Sequence, residues 1–228
     1  MNEPPSLPET DGERRDAFQP GFDPAFRARL LDLFRWRRDV RRFRPEPLPP
    51  GLLDTLLDAA QGAPSVGLSQ PWRFVTVDDP ARRAAVRAVF TEANAREAAQ
   101  RPAEDAARYA RLKLAGLDEA PCHLAVFVDP EPEQGRGLGR ATMPETVAYS
   151  AVLAVHTLWL LARAWGVGLG WVSILDPGAA AAALDVPPRW RLVAYLCLGY
   201  PEEDMDAPEL ERAGWETRRP AGANRVRR

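Results

Sequence analysis

The chain has 228 residues, of which 46% are hydrophobic, and this suits one compact domain or a protomer that shares its core with a partner. Its net charge of -2 argues against a generic nucleic-acid binder, because such a protein carries a basic surface. The longest apolar region, residues 151–162, is shorter than the ~20 residues that a bilayer span requires, so we expect no membrane segment.

The N-terminal part is predicted to contain an extension and two helices. Residues 1–20 are rich in Pro, Asp, Glu and Arg and contain no apolar stretch, which indicates a disordered extension. Asp23 precedes a proline and marks a helix start, after which apolar residues recur at helical spacing as far as Phe34. A second helix is predicted over residues 52–60, before a Gly-Ala-Pro sequence.

Further helices alternate with strands along the rest of the chain. Residues 81–117 have a helical composition but only a weak apolar stripe and a break at Pro102, which indicates an exposed hairpin or a mobile lid. Residues 145–165 form a predicted helix that is apolar on nearly all sides, so we expect it to be buried centrally. Apolar runs predict strands at residues 73–77, 123–128 and 190–198.

This pattern predicts an α+β fold in which helices outnumber strands. The two long helical regions have more apolar surface than one small domain readily covers, so we expect a homodimer. Cys122 and Cys197 lie far apart in apolar stretches, which favours reduced thiols in a cytoplasmic protein. The only histidines, His123 and His156, fall in a predicted strand and in the apolar helix, so we expect structural roles and no metal site.

Residues 36–44 place one carboxylate, Asp39, within a cluster of arginines. Planar guanidinium groups suit a phosphate, and an enclosed carboxylate can be directed at a ligand. The same charges also suit a solvated helix end, where arginines favour the negative pole of the helix dipole. Both interpretations remain open from this segment alone. The arginines are Arg37, Arg38, Arg41, Arg42 and Arg44.

Two other segments could contact a flat, polar ligand. Residues 63–72 form a turn-rich link in which Ser65, Ser69 and Gln70 offer hydrogen-bonding groups to a planar ring. Ordinary turn chemistry explains the same residues. In residues 168–174, small residues would allow close approach to the backbone beside the hydroxyl of Ser173, although a helix end that leads into a strand is equally compatible.

Taken together, these segments resemble the nitroreductase-like flavoprotein family over residues 22–216. Within it, five strings are most similar to the group of BluB-type 5,6-dimethylbenzimidazole synthases. They are Arg37-Arg38-Asp39-Val40-Arg41, Ala63-Pro64-Ser65-Val66-Gly67, Ser69-Gln70-Pro71-Trp72, Met143-Pro144-Glu145 and Gly170-Trp171-Val172-Ser173. General nitroreductases have Arg-Arg-Ser at the first string, so Asp39 separates the two groups.

The resemblance implies a fold and a set of site residues. The fold would be a central, mostly antiparallel sheet flanked by helices in an intertwined homodimer, with residues 21–216 as the flavin domain, residues 81–117 as its lid and residues 217–228 as a tail. Asp39 and Ser173 would be catalytic. The residues implied to bind FMN are Arg37, Arg38, Asp39, Val40, Arg41, Ser65, Ser69, Gln70, Pro71, Met143, Gly170, Trp171 and Ser173. Whether a late arginine such as Arg218 helps to hold phosphate is left open.

The implied reaction consumes the flavin. Reduced FMN would be the substrate and dioxygen the co-substrate, and the products would be 5,6-dimethylbenzimidazole, the lower ligand of cobalamin, and erythrose 4-phosphate. A flavin reductase would supply the reduced flavin in the cytoplasm. Positive neighbours favour an ionised Asp39, which could act as a positioned base. The alternatives are an FMN-dependent NAD(P)H nitroreductase-type oxidoreductase and a flavin-binding protein without catalytic activity.

Overall fold

A computed structural model describes residues 21–220 and 222–228, so the predicted extension, residues 1–20, lies outside the described residues. In the described part, four strands form one antiparallel sheet in the order β1-β2-β4-β3. The strands are β1 (Trp72–Thr76), β2 (Cys122–Val128), β3 (Gly168–Val172) and β4 (Arg191–Gly199). The predicted α+β class and the antiparallel sheet are confirmed.

Helices pack on the two faces of this sheet. They are α1 (Pro24–Trp36), α2 (Leu52–Ala60), α3 (Pro80–Ala99), α4 (Ala103–Tyr109), α5 (Thr146–Ala164), α6 (Pro177–Leu184) and α7 (Glu209–Arg212), and a 3-10 turn spans Val66–Leu68. The helix predicted over residues 52–60 has these bounds in the structure. Helices α6 and α7 were not predicted.

Three helices begin with the same pair of residues, an aspartate followed by proline. The side chain of Asp23 accepts a hydrogen bond from the Phe26 amide, and Asp79 and Asp176 cap α3 and α6 in the same way. Such a carboxylate satisfies an amide that the first turn leaves free, and proline fits the first helical position. This signal was used for α1, and it would also have identified α6.

Helix α5 lies across one face of the sheet, together with α2. Its inward residues, including Ala151, Val155 and Leu158, are buried in the main hydrophobic core. The predicted central burial is wrong for the opposite side, where Leu153 and His156 are exposed. By length and composition alone α5 could cross a membrane, a test that the core helix of a globular protein also passes. In this structure 39% of its most apolar window is buried, and that buried side packs on the sheet.

The lid region, residues 81–117, consists of α3 and α4 with a break at Pro102, as predicted. Tyr109 at the end of α4 is buried, and its hydroxyl donates a hydrogen bond to Asn94 Oδ1 at 2.6 Å. The guanidinium of Arg101 stacks on both Tyr109 and Trp215, so the C-terminal segment packs against the lid. The mobility of the lid and the division of the chain into domain and tail stay predictions.

The segment that follows α1 adds to the sheet beyond β3. Asp39 forms a parallel bridge with Leu169, and the amide of Val40 donates to the Leu169 carbonyl at 3.1 Å. A Cβ atom at Gly170 would overlap the carbonyl oxygen of Val40, and one at Gly168 would press on the Val40 side chain. These glycines therefore let residues 39–40 lie directly against β3.

His123 lies inside the second core cluster, on the other face of the sheet. It is buried, and its Nδ1 lies 2.9 Å from the hydroxyl of Tyr195. Burial, reinforced by the positive charge of Arg83, lowers the pKa of His123 from 6.5 to about 4. The expected structural role of His123 agrees with this position.

We expect Gly170→Ala to destabilise the fold by about 2 kcal/mol or more, because the added methyl group must displace residues 39–40. The matched control is Gly178→Ala, since a Cβ there would make only an ordinary contact with Asp176 and would favour the helix. Urea denaturation measures both changes. Equal stability of the two variants would contradict the close approach.

The depressed pKa of His123 makes the stability depend on pH. The unfolded chain takes up a proton near pH 6.5 and the folded protein only near pH 4, so this stabilisation is complete above 6.5 and is lost as the pH falls towards 4. Between pH 7 and 4 we expect the wild type to lose on the order of 2 to 3 kcal/mol more than His123→Asn. Denaturant titrations at both pH values measure this difference, and identical losses would contradict it.

Candidate active site

Asp39 is held through both of its carboxylate oxygens. Oδ1 accepts a hydrogen bond from the Trp171 amide at 2.9 Å, and Oδ2 accepts one from Arg41 Nε at 2.8 Å. The side chain remains about one third exposed, at 32%. The strand therefore supplies a fixed backbone donor that orients the carboxylate, while part of the group stays accessible to a ligand.

Ser173 follows immediately after β3 and its side chain is exposed. It lies two residues beyond Trp171, whose amide binds Asp39. On the extended chain, the Cα atoms of Trp171 and Ser173 are therefore about 7 Å apart. Asp39 is bridged to Leu169, four residues before Ser173, so only its carboxylate, at the Trp171 amide, extends along β3 towards Ser173.

Arg37 and Arg38 are the crowded cations of the cluster. Arg38 donates from Nη1 to the Arg37 carbonyl at 2.9 Å and from Nη2 to the Asp206 carbonyl. Burial lowers the pKa of both guanidinium groups, and repulsion by Arg218 lowers both further. Within the described residues, Arg38 Nε is buried without a hydrogen-bond partner. Arg37 stacks on the ring of Trp159, with its guanidinium carbon 4.8 Å from the ring centroid. An anion placed here would relieve the repulsion among these cations.

The other arginines of the cluster are already engaged. Arg41 binds Asp39 and also donates from Nη1 to the Lys113 carbonyl at 2.9 Å. Arg42 pairs with Glu209, and Arg44 stacks on Tyr200. These arginines could not be told apart from sequence alone, because Lys113, Glu209 and Tyr200 lie far away along the chain.

The turn formed by residues 65–70 has its own internal hydrogen bonds. Ser65 Oγ accepts a hydrogen bond from the Gln70 amide at 3.1 Å, and Gln70 Nε2 donates to the Gln61 carbonyl at 3.1 Å. Turn chemistry thus accounts for much of the polar pattern. Ser69 differs, because its Oγ is buried and has no partner among the described residues. Pro71 contributes a carbonyl that accepts from the Asp129 amide.

Residues 134–143 pack against this turn. Gln134 Nε2 donates to the Leu68 carbonyl at 2.6 Å, and Gly135 lies so close to Ser69 that a side chain would not fit between them. These residues form a series of tight turns with positive φ angles at Gly135, Gly137 and Gly139. Met143 lies at the end of this loop and is exposed.

The two predicted flavin-binding groups lie at opposite ends of α5. Ser150 Oγ accepts from the amide of Val66 at one end, and the indole of Trp159 donates to the Arg38 carbonyl near the other. Nine helical residues separate these contacts, a distance of about 14 Å along the axis. A single protomer therefore does not bring the turn at residues 65–70 beside Asp39.

A cavity of about 560 Å³ opens beside Asp39, within the range of small-molecule sites. Arg38, Asp39 and Arg41 line one part of it, and acidic residues such as Glu202 and Asp204 line another. Lys113 had no signal in the sequence, because it contributes a backbone carbonyl.

Comparison with known proteins shows the family of the chain. Residues 34–200 match the family model described as the nitroreductase family. The chain is 59% identical over 201 residues to a 5,6-dimethylbenzimidazole synthase of Rhodospirillum rubrum, covering 88% of this chain and 95% of that protein. It is 49% identical over 199 residues to a 5,6-dimethylbenzimidazole synthase of Rhodobacter capsulatus, covering 87% of this chain and 96% of the relative.

A solved structure has the same fold. The crystal structure of oxidised iodotyrosine deiodinase bound to FMN and 3-iodo-L-tyrosine superposes with a TM-score of 0.67 at 26% sequence identity. The match covers 87% of this chain and 97% of that one. From the family match and the identity to these relatives, the chain belongs to the nitroreductase family.

Proposed function

We propose that this protein is a 5,6-dimethylbenzimidazole synthase that uses reduced FMN as its substrate and dioxygen as its co-substrate. The products are 5,6-dimethylbenzimidazole, the lower ligand of cobalamin, and erythrose 4-phosphate. The observation that carries the proposal is Asp39, a carboxylate fixed by the Trp171 amide next to the crowded cations of Arg37 and Arg38. The names of the two synthases described above support the same assignment.

The residues present fit FMN. The crowded charges of Arg37, Arg38 and Arg218 suit its phosphate, and the orphaned Arg38 Nε offers a further donor there. At the other predicted segment, the orphaned hydroxyl of Ser69 can bind a polar ring. Bound reduced FMN supplies the electron-rich ring system that reacts with dioxygen.

Asp39 acts as the positioned base. Its Oδ1 is fixed by the Trp171 amide, so the rest of the carboxylate faces one direction and can accept a proton from the ribityl chain or the ring. Ser173, directly after β3, has an exposed hydroxyl that both donates and accepts, so it relays protons in the site. The lid, residues 81–117, excludes water from the site.

The flavin site is completed by a second copy of the chain. One face of α5 exposes an apolar stripe at helical spacing, and α1 exposes a second set of large apolar side chains. A two-fold axis that pairs the α5 helices antiparallel brings the turn at residues 65–70 of one protomer towards Asp39 of its partner. The exposed residues are Phe26, Leu31, Phe34, Tyr149, Val152, Leu153 and His156.

The substrate must reach this site already reduced. A flavin reductase in the cytoplasm supplies it, because dioxygen reacts with the ring only after two electrons have been added. Family membership also favours a second candidate, an FMN-dependent NAD(P)H nitroreductase-type oxidoreductase, in which the flavin survives turnover. The fate of the flavin distinguishes the two.

We expect the purified protein, given reduced FMN and air, to form 5,6-dimethylbenzimidazole. Asp39→Asn keeps the shape of the side chain and the acceptor for the Trp171 amide but removes the base, so it should bind FMN within about threefold of the wild type and lose more than 99% of product, on the scale of a lost general base. Product chromatography and flavin fluorescence measure the two effects.

The matched control is Asp78→Asn, because Asp78 is 85% exposed beside Arg83 and is not among the residues that line the cavity beside Asp39. It should form product normally. Normal product formation by Asp39→Asn would refute the catalytic assignment. NADPH oxidation coupled to nitroaromatic reduction, with FMN recovered intact, would instead establish the oxidoreductase.

The composite site makes flavin binding depend on the dimer. Leu153→Asp places a charge in the exposed stripe of α5, where Leu153 is 43% exposed, and we expect it to give monomers that bind FMN at least tenfold more weakly. Val226→Asp, at a tail residue that is 72% exposed, should change neither property. Light scattering and FMN titration measure both. A monomer with wild-type affinity would show that one protomer suffices.

A further inference from the structure

We propose that Arg41 is a positioning residue that couples closure of the lid to the orientation of Asp39. This inference rests on the proposed function for its effect on product formation. The coupling itself is a property of the fold. Arg41 therefore has a different task from Arg37 and Arg38, although the three follow one another closely in the sequence.

The two hydrogen bonds of Arg41 point to different parts of the molecule. Nε donates to Asp39 Oδ2 at 2.8 Å, and Nη1 donates to the Lys113 carbonyl at 2.9 Å. The side chain is only 14% exposed, so both bonds lie largely outside bulk water, where they are strong. A guanidinium engaged in this way has little capacity left for a phosphate.

The end of the lid is packed tightly on the segment that carries Arg41. A Cβ atom at Gly116 would overlap the ring of Phe43 and would lie 3.3 Å from the Arg41 carbonyl oxygen. Phe43 is itself buried in the second core cluster. Residues 113–116 therefore sit in one defined place only while this contact is intact.

Opening of the lid would withdraw the Lys113 carbonyl from Arg41. The guanidinium would then lose one of its two fixed partners and could rotate, so Asp39 Oδ2 would lose its constant donor. Oδ1 would keep its bond to the Trp171 amide, which belongs to the sheet and does not move with the lid. Closure of the lid thus fixes the position of Asp39 Oδ2 through Arg41.

Arginine is required because two separated donors must act at once. The planar fork reaches the carboxylate and the carbonyl together, whereas lysine has a single ammonium group at the end of a flexible chain. Lysine keeps the charge, so it separates the positioning role from simple attraction of an anion.

The test is Arg41→Lys, with Arg44→Lys as the matched control from the same cluster, because Arg44 contacts Tyr200 and Glu46 and not the lid. Three quantities are measured: the dissociation constant of oxidised FMN, kcat and KM for 5,6-dimethylbenzimidazole formation, and the rate of tryptic cleavage at Arg108, Arg111 and Lys113. For Arg41→Lys we expect FMN affinity within threefold of the wild type, kcat at least tenfold lower, and cleavage at least fivefold faster. Arg44→Lys should match the wild type in all three.

A tenfold loss of FMN affinity with an unchanged kcat would overturn the proposal, because Arg41 would then be a phosphate ligand. Unchanged cleavage would also overturn it, since the lid would not depend on Arg41. If the wild type forms no benzimidazole, the proposed function fails, but the cleavage rates still decide whether Arg41 holds the lid.

A second variant guards against misfolding of Arg41→Lys. Gly116→Ala pushes the end of the lid away from Phe43 without changing any charge. We expect it to accelerate cleavage and lower kcat as Arg41→Lys does, again with FMN affinity within threefold of the wild type. Fast cleavage with full kcat in this variant would show that lid closure and Asp39 are independent.

Discussion

The contact between residues 39–40 and β3 fixes the position of Asp39 and of the arginines around it. Two glycines on the strand, Gly168 and Gly170, leave no side chain in the way, so the Asp39 carboxylate reaches the Trp171 amide. The chain before this contact leads from α1 and the chain after it leads to Phe43 in the core. Arginines on either side of Asp39 are consequently fixed in different surroundings.

That difference divides one charged cluster into two functions. Before the contact, Arg37 and Arg38 are crowded by Arg218 and retain an unpaired buried donor, which is unfavourable until an anion arrives. After the contact, Arg41 has two partners and a low exposure. Crowded cations with an unsatisfied donor favour the binding of an anion, whereas a guanidinium that bridges two fixed acceptors gives rigidity.

Much of the fold could be predicted from local signals, because helix caps and apolar spacing act over a few residues. The Asp23 cap and the spacing in α2 and α5 located those helices, and the same cap at Asp176 would have located α6. The arginine cluster was also visible. What could not be predicted depends on distant partners: the exposed side of α5, and the bond from Arg41 to a backbone carbonyl 72 residues away.

The separation of the two flavin segments explains why α5 is apolar on almost every side. In the dimer proposed above, one side of α5 buries against the sheet and the other pairs with a second copy, since the turn at residues 65–70 and Asp39 lie about 14 Å apart along its axis. A helix that served only the core would carry polar residues on its outer side. In the proposed dimer, this outer apolar side of α5 excludes water from the interface between the protomers and brings the two half-sites to one flavin.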